Sequence, residues 1–235
     1  MSHSWMLKEP KTTAPLDPGF RPAVLANRAF QHAVEASGGG VPLVLGLERT
    51  SGAVSRYETR VLDENHEHAG ANKFYVERLV KFLLWQRGGC KLYVGGPAAL
   101  GAHLQDCYRV GGQRAFDYQF MGEDVYEHPF EVIACAPEDV PAAKELDTPL
   151  GRHLAGCRIG FDLGASDRKV SAVVDGEAVF SEEVVWEPRK HTDPAYHYEE
   201  VMTALKTAAS KMPRVDAIGG SSAGVYINNR AMIAS

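Results

Sequence analysis

Cysteine is scarce in this sequence, with only Cys90, Cys107, Cys135 and Cys157 in 235 residues. Four thiols so widely spaced cannot frame a small disulfide scaffold, and reduced cysteines are expected. Long apolar runs are also missing. The most hydrophobic window, Phe74–Trp85, is interrupted by Glu77, Arg78 and Lys81, whereas a membrane span needs about 20 apolar residues. It reads as a buried amphipathic helix, and no membrane partner is expected. The stretch from Met1 to Pro22 holds no apolar segment of signal-peptide type, so a cytoplasmic protein is expected. An excess of positive charge is absent as well: 25 Lys+Arg stand against 30 Asp+Glu, a net charge of −5. Proteins that coat a duplex need clustered basic side chains to release counterions, so no nucleic-acid partner is expected. Bias toward disorder is lacking too, because 45% hydrophobic and 23% charged residues are ordinary globular values.

What is present suggests two domains behind an arm. Residues 1–20, rich in Pro, Thr and Lys, predict a mobile arm. Residues 21–150 predict an α/β domain of uncertain type. Its parts are a helix over Arg21–Ala36, a hairpin from Val41–Glu48 and Ser55–Leu62, and a helix over Asn72–Arg87. A strand at Cys90–Val94, a helix from Pro97 to Val110 and a strand at Phe130–Cys135 follow. The connection holding Pro137, Pro141 and Pro149 places a boundary near residue 150.

The remaining residues, 151–235, are more sharply patterned. Strands are predicted at Cys157–Leu163, Lys169–Val174 and Glu177–Trp186, with Asp175-Gly176 as the turn between the last two. A helix over Asp193–Met212 directs Tyr198, Val201, Met202, Leu205 and Ala208 inward. A strand at Val215–Gly219 leads into the small-residue turn Gly220-Ser221-Ser222-Ala223-Gly224. Three antiparallel strands, a helix and then a parallel strand describe half of an RNase-H-like α/β lobe with a mixed sheet. Residues 41–110 repeat the order hairpin, helix, strand, helix in a looser form.

The richest chemistry lies in the segment from Ile159 to Lys169. Asp162 ends a strand, Gly164 follows two residues on, and Lys169 opens the return strand. A carboxylate at a strand end is costly without a partner, and a hydrated metal ion is a natural one. Gly164, Ala165 and Ser166 are small enough for backbone amides to cradle phosphate, helped by the Ser166 hydroxyl and the Lys169 ammonium.

The spacing D-x-G-x-x-x-x-K, with the element order behind it, resembles the first phosphate loop of the actin-like ATPase superfamily. Within it, residues 155–235 are most similar to ROK-type repressors and sugar kinases. Their loop reads D-x-G-G-T, so Ala165 and Ser166 replace Gly and Thr. The turn Gly220 to Val225 resembles their G-x-P-G-x-V loop without its proline. The resemblance implies an ATP-dependent sugar kinase. MgATP would sit at Asp162, Gly164, Ala165, Ser166 and Lys169, with Asp162 holding the Mg ion through water. Ser222 and Gly224 would border the sugar. The catalytic aspartate of such kinases has no counterpart here, so no catalytic base is assigned. An alternative is a non-catalytic regulatory or assembly module that keeps the fold, as a homo-oligomer or with another chain.

Three further chemistries would draw on other residues. Gly220 to Gly224 matches the G-x-S-x-G elbow of a serine hydrolase with Ser222 as nucleophile. Against it, a strand is expected next, and neither His nor Asp follows Ser222. A two-metal nuclease would draw on Asp162, Glu199 or Glu200, and Asp216. Zinc would need Cys90, His103 and Cys107 to converge. Trp85 and Trp186 are expected as core anchors.

Overall fold

The computed structural model describes residues 3–145, 153–228 and 230–234. The chain divides into two compact units, Met1–Asp147 and Thr148–Ser235. The boundary expected near residue 150, with Pro149, lies outside the described residues. The protein is mixed α/β, with parallel and antiparallel strand pairs in each main sheet. Among the described residues no helix is long and apolar enough to cross a membrane.

In the first unit, α1 (Ala23–Ala36) precedes the hairpin β1 (Val41–Glu48) and β2 (Val54–Val61). Then come α2 (Ala71–Arg87), β3 (Lys91–Gly95), α3 (Ala98–Cys107) and the short α4 (Ala115–Gln119). A π-helical turn at Phe120–Tyr126 leads to β4 (Glu131–Cys135). The sheet order is β2-β1-β3-β4. Residues Ala26, Phe30 and Val34 recur every fourth position of α1, and Val76, Val80, Leu83 and Leu84 form the equivalent stripe of α2. Both stripes close on Leu43, Leu45 and Leu47 of β1 and on Leu92 and Val94 of β3. The opposite face of the sheet is covered as well. Val140 sits where a Cβ at Gly46 or Gly95 would lie, at 2.8 and 2.5 Å. These two glycines let the segment after β4 descend onto the strands.

The predicted arm is anchored at its start. Residues Ser4–Met6 form a 3-10 turn, Met6 is fully buried, and Trp5 stacks on His68. Apolar contact outweighs the flexibility that the Pro-rich composition suggests. Trp85 is not a core anchor: its ring is half exposed, and its Nε1 donates to Asp117 at 2.6 Å. The stripe of α2 places Trp85 on the outer side, where size alone does not bury it. The loose similarity of residues 41–110 to the second half fails in strand direction, because β3 runs antiparallel to β1.

In the second unit, β5 (Cys157–Leu163), β6 (Asp167–Val174) and β7 (Glu177–Val185) form an antiparallel meander. Asp193 caps α5 (Pro194–Ala209), accepting from the Ala195 amide at 2.9 Å, with Pro194 at the first helical position. Next is β8 (Ala217–Ser222), parallel to β5, which makes the order β7-β6-β5-β8. A separate hairpin, β9 (Gly224–Ile227) and β10 (Arg230–Ala234), follows. The core beneath α5 is small: Ile159, Val170, Ala172, Ala204 and Ala208, with Phe161, Phe180 and Leu205 against it. Tyr198 does not face inward and is largely exposed. The inner face runs through Ala204 and Ala208, with Leu205 packed beside them. The strand expected at Val215–Gly219 begins and ends later, so Gly220, Ser221 and Ser222 belong to β8 and the turn shrinks to Ala223, with Gly224 opening β9. A Cβ at Gly220 would lie 2.5 Å from the Phe161 ring, so glycine is what lets that ring cross under the strand.

Candidate functional site

The end of the second sheet where β5 and β8 both finish gathers the predicted site. There β6 begins and β7 ends, because Asp167 pairs with Val185 and Leu163 pairs with Ser222. The N-terminus of α5 follows β7 at this same end. In open α/β sheets ligands bind outside the carboxyl ends of the parallel strands.

Asp162 and Lys169 are direct cross-strand partners, so their side chains project from the same face of the pleat. It is the face opposite α5. Ser221, the parallel partner of Asp162 on β8, joins them, and its hydroxyl donates to Asp162 Oδ1 at 2.5 Å. Farther along the same face, Gly160 and Gly219 form a floor where an added Cβ would meet nothing within 4 Å. Ser171 and Ser181 continue it, with their hydroxyls 3.0 Å apart.

The turn itself is pinned by backbone bonds. The Gly164 amide donates to the Asp167 carbonyl at 2.9 Å, so it is committed within the hairpin. Buried Trp186 clamps the bend from below: its Nε1 donates to the Gly164 carbonyl at 2.9 Å and its amide to the Ser166 carbonyl at 3.1 Å. Trp186 is therefore the anchor expected. The Ala223 amide donates to the Leu163 carbonyl at 3.0 Å, tying the second turn to the first. Ala165 and Ser166 are exposed at the tip.

Two residues that sequence reasoning passed over complete the electrostatics. Asp167 accepts from Lys169 Nζ at 2.5 Å and from the Ser166 hydroxyl at 3.3 Å. Glu183, the partner of Lys169 on β7, stands 3.7 Å from the same ammonium. The Asp167 hydrogen bond, aided by the charges of Asp167, Glu183 and Asp162, holds Lys169 above the usual lysine range. In return Lys169 holds Asp167 below the usual carboxylate range. The signal was present: positions 167 and 169 share a face by the period of two. The ammonium is thus already paired, so any anion it receives would exchange with Asp167. Both partners are solvent-accessible, where such exchange costs little.

No family model, curated protein or solved structure matches this chain. The site rests on its own geometry. One carboxylate with a hydroxyl beside it fits a cation that keeps its waters and is held mainly by phosphates, the usual habit of Mg. It does not fit a dedicated protein cage, and among the described residues no group of three or more His, Cys, Asp or Glu converges on a metal.

The other candidates do not assemble. Glu200 binds buried Arg168 at 2.8 Å on the helix side of the sheet, away from Asp162. Asp216 sits at the opposite end of β8, accepting from the Cys157 amide at 2.8 Å and from Arg214 at 2.7 Å. The nuclease triad is therefore dispersed. Cys107 Sγ lies 3.5 Å from His103 Nε2, but Cys90 Sγ is directed to the Glu48 carbonyl, so the zinc set does not form. The Ser222 hydroxyl accepts from Tyr226 at 2.9 Å and is followed by β9, not by the helix of a nucleophile elbow.

Proposed function

We propose that the second unit is an RNase-H-like nucleotide-binding lobe of the ROK-type, actin-like ATPase kind, and that it binds MgATP at the Asp162–Lys169 hairpin. The observation that carries this reading is the register: Asp162 and Lys169 oppose each other across β5 and β6, beside the shared end of β5 and β8. The strand order β7-β6-β5-β8 supports the fold assignment. Asp162 orients the hydrated Mg ion, with Ser221 fixing its carboxylate. Ser166 and the exposed amides at the tip meet phosphate oxygens, and Lys169 transfers its contact from Asp167 to the phosphate. Ser222 and Gly224, at the adjoining turn, border a sugar whose hydroxyl receives the γ-phosphoryl group. Catalysis of this kind is mostly positioning and charge neutralisation. A cytoplasmic setting belongs to the same proposal, since the four cysteines are free thiols.

A second reading, a non-catalytic module that assembles with itself or another chain, is favoured by one observation. Edge strand β8 (Ala217–Ser222) carries no charged residue, whereas the other edge, β7, carries Glu177, Glu182 and Glu183. Charged edges resist pairing with other chains, and β8 lacks that protection. Coupled measurement of ADP release with MgATP and a panel of hexoses separates the readings. Sugar-dependent release establishes the kinase. Nucleotide binding without release at any hexose leaves the assembly role.

A further inference from the structure

A cleft of about 380 Å³ opens between α1 and α2 of the first unit. It is too deep to be a flat face, because its floor reaches Tyr75, which belongs to the buried core. Its walls hold large apolar side chains that the fold leaves in water: Phe82 is 62% exposed, Val24 52% and Leu7 41%. Scattered apolar residues need no explanation, but three around one concavity mark a binding surface. The rim carries two guanidiniums, Arg21 and Arg78, and no carboxylate lines the cleft. Arg21 is tethered at 2.7 Å to Glu9, which is itself highly exposed. Arg78 lies one turn before Phe82 on the same face of α2 and has no ion-pair or hydrogen-bond partner among the described residues. An unpaired cation beside an exposed apolar trough is complementary to a molecule with one anionic end and one apolar body.

We propose that this cleft is a binding site for a small amphipathic anion, an alkyl or aryl carboxylate, with its charge on Arg78 and Arg21 and its body along Phe82, Val24 and Leu7. The volume lies within the range of small-molecule pockets. This site is separate from the hairpin of the second unit and does not depend on its assignment.

Calorimetry on the intact chain with hexanoate, octanoate and decanoate, all below their micellar concentrations, tests it, with decanol as the uncharged control. Affinity is expected to rise about fourfold per added methylene, and decanoate to exceed decanol. Arg78→Ala should weaken decanoate about tenfold and leave decanol unchanged, with Arg78→Lys recovering part of the loss. Phe82→Ala should flatten the dependence on chain length. Both side chains are exposed, so these variants keep the fold, and thermal melting verifies that. Absence of saturable decanoate binding overturns the proposal. So does equal affinity for decanol and decanoate, or decanoate binding that neither variant changes.

Discussion

The two units solve the same problem, a four-stranded sheet in water, with different completeness. In the first, α1 and α2 cover one face and Val140 closes the other, so every residue from Leu43 to Leu47 is buried. In the second, α5 covers one face with a core built on alanines, and the other face stays open along Asp162, Lys169, Ser171 and Ser221. Alanine contributes little apolar area, so the second unit has less to hold it. The same economy leaves a polar surface beside a pinned turn, where a ligand can reach. The contrast teaches that the candidate site occupies the half with the smaller buried core.

That contrast can be broken most forcefully in the core. Ile159→Ala should cost the second unit about 2–5 kcal/mol, a large share of the stability of so small a unit. Denaturant unfolding followed by Trp186 fluorescence, in a Trp5→Phe, Trp85→Phe background, should show its transition collapse. The first unit's transition, followed by Trp5 and Trp85 in a separate Trp186→Phe background, should hold its place. Transitions that move together would break the comparison.

Next come buried charges against exposed ones. Glu77 pairs with Arg114, and both are nearly buried in the first unit. Glu77→Ala leaves the guanidinium with its longer pair to Asp117 at 3.8 Å and should destabilise that unit by about 3 kcal/mol. Lys169→Ala removes an exposed pair and should leave the second unit's midpoint where it is. A smaller effect distinguishes neighbouring glycines of β8. Gly220→Ala drives a methyl into Phe161 and should cost about 1–3 kcal/mol, whereas Gly219→Ala enters open space and should not register in the same melts.

The gentlest test is of pH. Arg214, with the Cys157 amide, holds Asp216 below its ordinary value of 3.8. A carboxyl with a depressed folded pKa stabilises above its unfolded pKa and loses that contribution as pH falls through the folded one. Wild type should therefore melt above Asp216→Asn at neutral pH, and the gap should close as the pH drops below about 4. A gap that persists in strong acid would show that Asp216 acts by packing alone.

Much of the fold was legible because periodicity reports burial. The helix at α2, the strand at Cys157–Leu163 and the Asp175-Gly176 turn all stand where the pattern puts them. What escaped was governed by partners distant in sequence. Met6 reads as part of a flexible arm until the core that receives it is known. Tyr198 reads as inward until the sheet is seen to meet Ala204 and Ala208 instead. At the site, Asp162 and Lys169 were visible from spacing. Asp167 was hidden in the turn, although its parity with Lys169 implied a shared face. Ser221 became relevant only through parallel pairing with Asp162, which no local pattern encodes.

The central claim is that the polar row on the open face of the second unit receives a polyphosphate with its cation. Its most direct test is calorimetric titration of MgATP into the intact chain and into Asp162→Ala. Saturable binding that needs Mg and weakens at least tenfold in the variant is the predicted result. Equal affinity in the two proteins, or no binding in either, would contradict it.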